Sequence, residues 1–262
     1  MPKGVKFSDQ NDSGAANPMM SDEVIRSRAK DLTWYAPVSF GGGIDIIENH
    51  INMRAGYHNA GIEKWRYIIQ RNLPDLQGRR VIDIGCNAGL FCVEMARMGA
   101  VDVVGLDSER TWPRFVEQAT FVKEALEWRC KTKYPITFVD AEMDRLPELN
   151  LGRFDVAIIL CCIYYLKDEA ILALLQHLRE NCDYVLIQCN VRRQDQVPEV
   201  HRRAQPEYIA EKLKKVGFPH IYFDMPWFYS RPVVVGSANH VRKGPGKLLS
   251  REGIRYWIRS KV

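Results

Sequence analysis

The sequence predicts a three-layer α/β fold: a seven-stranded, mostly parallel sheet with one antiparallel strand, flanked by helices and preceded by an N-terminal helical extension. From Arg80 onward, short runs rich in Val, Ile and Phe alternate with longer amphipathic stretches, as in RRVIDI, then GLFCVEMARMG, then VDVVGLD. Strands separated by helices pair in parallel, because each crossover helix returns the chain to the same end of the sheet. The last two strand-like runs, HIYFDM and PVVVGSA, have no helix between them, so one of them should run antiparallel. With 46% hydrophobic and 26% charged residues in 262, the chain has the balance of an ordinary globular protein built on one main core.

Residues 1–20 are polar and lack the apolar stretch of a secretory signal, so they read as a disordered leader. Ser21, followed by Asp22 and Glu23, suits a helix N-terminus, and a helix is expected near 21–32. The aromatic and glycine-rich TWYAPVSFGGGIDII reads as a loop leading to a short strand. Ile62, Trp65, Ile68 and Ile69 recur at helical spacing before Pro74, which predicts a helix over about 60–72. Residues 21–74 would then form an extension able to close over the main domain, which spans 75–240. Within it the strands are RRVIDI, VDVVGLD, ITFVD, FDVAIIL, DYVLIQCN, HIYFDM and PVVVGSA. The helices are GLFCVEMARMG, a long one over about 111–131, DEAILALLQHLREN and EYIAEKLKKVGF.

The net charge of +5 is unevenly spread: 241–262 holds seven basic residues and one acid, leaving the rest close to neutral. Arg251, Arg255 and Arg259 recur at helical spacing in that tail, which suits a phosphate or RNA contact and equally a solvated helix face. Seven cysteines form no C-x-x-C pair and mostly sit in apolar segments, a pattern of a reducing cytoplasm without structural zinc. No His/Asp/Glu cluster has metal-ligand spacing, and no apolar run nears the roughly 20 residues that span a bilayer.

The most informative stretch is VIDIGCNAGLF at 81–91. Ligands of open α/β sheets lie beyond the carboxyl ends of the strands, where the first strand's turn comes closest. Gly85 and Gly89 can adopt positive φ and carry no Cβ, and Asn87 tolerates the left-handed region. The next strand ends at Asp107, 24 residues after Asp83, where an acid can accept both ribose hydroxyls. The third ends in FVDAE, where Asp140 can accept from an adenine amino group beside a backbone amide. A phosphate-binding P-loop is excluded, because KGPGKLL has Val241 where the first glycine belongs and Leu248 after the lysine. The G-C-N-A-G turn also lacks the G-x-G-x-x-G of dinucleotide oxidoreductases.

These motifs, with the strand order, resemble the class I S-adenosylmethionine-dependent methyltransferases over roughly 75–237, which implies a Rossmann-like sheet and S-adenosylmethionine as cofactor. Asn87 stands where that family commonly has a third glycine. The resemblance implies that Asp83, Gly85 and Gly89 flank the methionine part, with Cys86, Asn87 and Cys161 beside it. It also implies that Asp107, next to Ser108, holds the ribose, and that Asp140 and Ala141 meet the adenine. Trp34-Tyr35, the glycine stretch and Asn87 are similar to the branch containing the transfer-RNA wobble-uridine (carboxy)methyltransferases, and to relatives acting on small molecules and sugars.

Methyl transfer is mainly a matter of holding an acceptor atom close to the methyl carbon. His50 and His58 in the extension, and Tyr164 with Tyr165 after the fourth strand, are candidate acceptor-side groups, the histidines as general bases. Asp45 and Glu48 are weaker candidates for a base. Trp34, Tyr35 and Trp65 can stack on a ring or simply fill the core. Arg192, Arg193, His201, Arg202 and Arg203, in what reads as a loop, can clamp an acidic acceptor or stay solvated. The reading favoured is methyl transfer to an oxygen or nitrogen of a small-molecule or sugar-like acceptor. Its rivals are a tRNA-modifying enzyme held to RNA by the basic tail and a non-catalytic cofactor-binding regulator.

Overall fold

The computed structural model describes residues 19–46, 64–191, 197–224 and 231–239. Strands β1 (Val38–Ser39) and β2 (Asp45–Ile46) form a small antiparallel hairpin. The main sheet comprises β3 (Arg80–Ile84), β4 (Asp102–Asp107), β5 (Ile136–Asp140), β6 (Phe154–Leu160), β7 (Cys182–Gln188), β8 (His220–Asp224) and β9 (Val233–Ser237). Their order is β5-β4-β3-β6-β7-β9-β8, and β9 runs antiparallel to both its neighbours, β7 and β8. This is the expected seven-stranded sheet with a single reversed strand. The order reverses direction between β3 and β6, so their carboxyl ends open the crevice that ligands of such sheets use.

The helices are α1 (Asp22–Lys30), α2 (Leu90–Arg97), α3 (Phe115–Cys130), α4 (Asp168–Asn181), α5 (Pro198–Arg203) and α6 (Pro206–Lys215). Alternate strand residues feed two cores. Val81, Val156 and Ile158 pack with α1, α2, α3 and the hairpin, while Ile82, Ala157 and Ile159 pack with α4 and α6. Ser21 caps α1 by accepting the Val24 amide at 3.2 Å, as its sequence suggests. α3 begins later than expected, because Ser108–Trp112 first folds into a turn and the Glu109 carboxylate then collects the amides of Arg114 and Val116. The expected loop after β7 contains the short helix α5, which opens with Pro198 in its first turn, where a missing amide costs nothing.

The glycine-rich stretch after Trp34-Tyr35 is the hairpin's turn: Gly41, Gly42 and Gly43 all have positive φ, between 60° and 72°. Arg129 locks it by donating to the Phe40 carbonyl at 3.0 Å and pairing with Asp22 at 2.6 Å. Past the undescribed residues 47–63, the expected helix is a π-helical turn over Trp65–Ile69 that tightens into a 3₁₀ turn over Gln70–Asn72. A buried network pins this unit to the sheet edge. Asp224 accepts from Asn72 at 2.6 Å and from Arg71 at 2.8 Å, while the Tyr184 hydroxyl bonds both the Asn72 carbonyl and the Tyr222 hydroxyl.

Removing one partner of a buried ion pair strands the other in low dielectric. Asp224→Ala should therefore lower the unfolding free energy by about 3 kcal/mol, read as a fall in the urea midpoint at constant m-value.

Candidate functional site

The turn from β3 into α2 alternates its backbone handedness. Gly85, Asn87 and Gly89 have φ of +81°, +49° and +70°, so every second residue is left-handed. The amides of the turn are spent inside the protein, Gly85 and Cys86 on the Leu106 carbonyl, Asn87 on Asp107 and Gly89 on the Cys86 carbonyl, so what the turn can offer a ligand is close approach of its main chain. Asn87 is the residue type that tolerates this region without glycine. The two glycines are also demanded by the protein itself. A Cβ on Gly85 would lie 2.7 Å from the Cys162 Sγ, and one on Gly89 would lie 2.7 Å from the Phe138 ring. The neighbouring thiol and ring thus occupy space that the sequence reading reserved for a ligand.

Asp107, at the end of β4, accepts the Asn87 amide on one carboxylate oxygen and the Ser108 amide on the other, each at 2.8 Å. Each oxygen keeps a lone pair, and the residue is only half-buried, so the carboxylate can still accept two hydroxyls. Asp140 accepts the Glu109 amide at 2.9 Å through Oδ1. The Ala141 amide donates to the Asp107 carbonyl at 2.9 Å, so it is not available to read an adenine ring. Ser108 is buried, and its hydroxyl donates to Glu142, which also pairs with Arg110. Glu142 thereby joins the rim, a position no motif announced.

Asp83 is 1% exposed, and among the described residues its Oδ1 has no hydrogen-bond partner, while Oδ2 receives only a long contact from the Cys92 thiol. Burial pushes its carboxyl up to about 7, against the pull of Lys64 and with Asp107 adding to the rise. The turn that follows Asp83 borders a cavity of about 90 Å³, lined by Gly85, Cys86, Asn87, Phe91 and Leu160, with Tyr35, Ala36, Val38 and Lys64 coming from the extension. Larger hollows, of about 830 Å³ between the hairpin and α2 and about 730 Å³ beside Trp128, lie away from the Gly85–Gly89 turn, none of whose residues lines them.

At the end of β6, Cys161 is left-handed, with φ of +62°, and its thiol donates to the buried Gln188 at 3.2 Å while Arg231 lies 3.8 Å away. Tyr164 is buried against Tyr165, and its carbonyl accepts from Arg203; Tyr165 is the exposed member of the pair. Of the three candidate stacking rings, Trp34 is fully buried with its indole bonded to the Ala29 carbonyl, and Trp65 stacks on Phe91. Only Tyr35 among them borders the cavity. Arg202 and Arg203 both pair with Asp168, so an acidic acceptor would compete with an existing partner. Asp45 lies on β2, lining the larger hollow rather than this cavity. His50, His58, Glu48, Arg192, Arg193 and the basic tail lie outside the described residues.

The residues present fit S-adenosylmethionine: an orphaned buried carboxylate for an ammonium, a bare left-handed turn, and a strand-end acid with spare acceptor capacity. Sequence reasoning missed Lys64, Arg231 and Gln188, since an isolated lysine, arginine or glutamine carries no spacing signal. Among the described residues no group of His, Cys, Asp or Glu is arranged to hold a metal, and no helix is long and apolar enough to cross a membrane.

A family model described as a methyltransferase domain matches residues 40–232. A tRNA U34 carboxymethyltransferase of Alcanivorax borkumensis is 32% identical over 117 residues, covering 45% of this chain and 32% of its own. A ubiquinone biosynthesis O-methyltransferase of Nitrosococcus oceani is 34% identical over 99 residues, covering 38% of this chain and 37% of its own. The chain thus spans about a third of the length of these curated relatives. An O-methyltransferase family protein from Burkholderia thailandensis has a similar solved structure, with a TM-score of 0.52 at 14% identity over 72% of this chain and 60% of that one.

A carboxyl that holds its proton more tightly when folded than when unfolded binds more protons in the native state, so its contribution falls as pH rises. For Asp83 that window runs from about 4, the unfolded value, to about 7. Asp83→Asn should flatten the loss of stability across this window and be more stable than the native chain at pH 8, as read from urea midpoints. An unchanged slope would show that Asp83 titrates normally.

Proposed function

We propose that this chain, which belongs to the class I S-adenosylmethionine-dependent methyltransferases, transfers a methyl group to an oxygen or nitrogen of a small-molecule or sugar-like acceptor. S-adenosylmethionine is its cofactor, and when bound it supplies an electrophilic methyl carried on a sulfonium. Asp107 holds the ribose hydroxyls with the lone pairs its two backbone bonds leave over. Asp83 takes the ammonium of the amino-acid end, gaining the partner that its Oδ1 lacks. The Gly85–Gly89 turn lays main chain against the same end, and the Asp140 oxygen not bonded to Glu109 accepts from the adenine amino group.

The observation that carries this reading is the orphaned, buried Asp83 beside a left-handed backbone turn tied to Asp107. A buried carboxylate without a partner is costly, and a cationic ligand group removes that cost. A small acceptor fits the described surface better than RNA, because Arg202 and Arg203 are already neutralised by Asp168. Modification of a tRNA wobble uridine is the second reading. It is favoured by the relative so named, at an identity close to that of the ubiquinone enzyme, and by the basic residues of 241–262. Binding of bulk tRNA that falls steeply with added salt would select it.

Calorimetry tests the leading reading: S-adenosylhomocysteine should bind the native chain, and Asp107→Ala should weaken that binding about 100-fold, two charge-assisted hydrogen bonds being lost, with the circular dichroism unchanged. No heat from either S-adenosylhomocysteine or S-adenosylmethionine would contradict it.

A further inference from the structure

Lys64 caps the start of the π-helical turn and shares the lining of the cavity of about 90 Å³ with Gly85 and Asn87. Lysine heads ordinarily reach for water, leaving only their stems against apolar surface. Here, among the described residues, the ammonium makes no hydrogen bond or ion pair, and it lies 5.3 Å from the centre of the Phe91 ring. The turn that carries it is fixed at its far end by Asn72 and Arg71 on Asp224, so Lys64 is held by structure rather than left on a loose surface. The charged and titratable groups around it among the described residues are Asp83 from β3, Cys161 and Cys162 after β6, and Arg231 before β9. Burial pulls its pKa below the usual lysine value and Arg231 adds to the fall, while Asp83 and the two thiols oppose it.

We propose, resting on the donor-binding reading above, that Lys64 is the proton acceptor of the transfer and that donor binding makes it one, by driving its proton off as the ammonium and sulfonium settle in the cavity. Asp83 is the carboxylate that supports the Lys64 charge. Once Asp83 turns to the donor's ammonium, that support is shared, and a sulfonium adds a like charge nearby; both changes favour the neutral amine. The transfer then balances. The acceptor O–H or N–H breaks, and its proton goes to the Nζ lone pair. An acceptor lone pair forms the new bond to the methyl carbon, and the electrons of the broken C–S bond return to sulfur. One cation disappears at sulfur as another appears on Lys64, so the charge enclosed by the cavity is conserved through the step. A fixed net charge needs little reorganisation in a low-dielectric site.

The test needs no acceptor. Full-length protein carrying ¹³C at the lysine ε-carbons is titrated with pH alone, with S-adenosylhomocysteine and with S-adenosylmethionine, and the Lys64 resonance is identified by its absence in Lys64→Arg and, should that variant not fold, in Lys64→Gln. The expected result is that S-adenosylmethionine lowers the Lys64 titration midpoint by about one pH unit or more and S-adenosylhomocysteine, lacking the sulfonium, by less. A midpoint that stays put while calorimetry shows the donor bound overturns this proposal and leaves the donor-binding reading intact. A midpoint that rises also overturns it, and assigns Lys64 to pairing with the donor's carboxylate. Absence of binding by both compounds overturns the two together.

Discussion

The site depends on one hydrogen bond across the sheet, from the Asn87 amide to the Asp107 carboxylate. It ties the left-handed turn after β3 to the end of β4, so the two segments proposed to meet the donor are held in register by the protein itself. Both are backed by the parallel β3–β4 pairing, which sets Ile84 against Leu106, and by the Gly85 and Cys86 amides, which both donate to the Leu106 carbonyl. Preorganisation of this kind moves the ordering cost from binding to folding. Asp107 stays partly exposed, with acceptor capacity left over, while Asp83 is buried with one oxygen that has no partner among the described residues.

Around this frame the extension acts as a wall. The hairpin turn is clamped by Arg129, the π-helical unit by Asp224, and between them they bring Tyr35, Val38 and Lys64 over the glycine turn. The opposite wall is the end of β6, where Cys162 fills the space below Gly85 and Cys161 adopts a conformation normally left to glycine or asparagine. Strain held at one residue beside a ligand cavity is a common companion of function. Here the bond from its thiol to Gln188 and the nearby Arg231 help hold it.

Much of the fold was legible in the sequence because strand and helix periods differ and the last two strands lack a crossover. The Ser21 cap, the left-handed Asn87 and the strand-end acids were legible for similar local reasons. What stayed hidden was set by long-range packing. The glycine run reads as a loop, but its hairpin is fixed by Arg129, 89 residues away from Phe40. Arg202 and Arg203 read as free cations, and Asp168, which neutralises them, comes from a different helix. Ala141 was paired with an adenine in the reading, yet its amide completes the β4–β5 edge. Lys64 carries no motif at all, since its inward direction follows from a π turn and a buried polar anchor that no periodicity announces.

The most direct measurement is a crystal structure with S-adenosylhomocysteine. The account predicts the ribose hydroxyls within hydrogen-bond distance of Asp107 and the amino-acid end lying along Gly85–Gly89 with its ammonium on Asp83. A nucleoside seated instead in the larger hollow between the hairpin and α2, with Asp83 still unpaired, would contradict it.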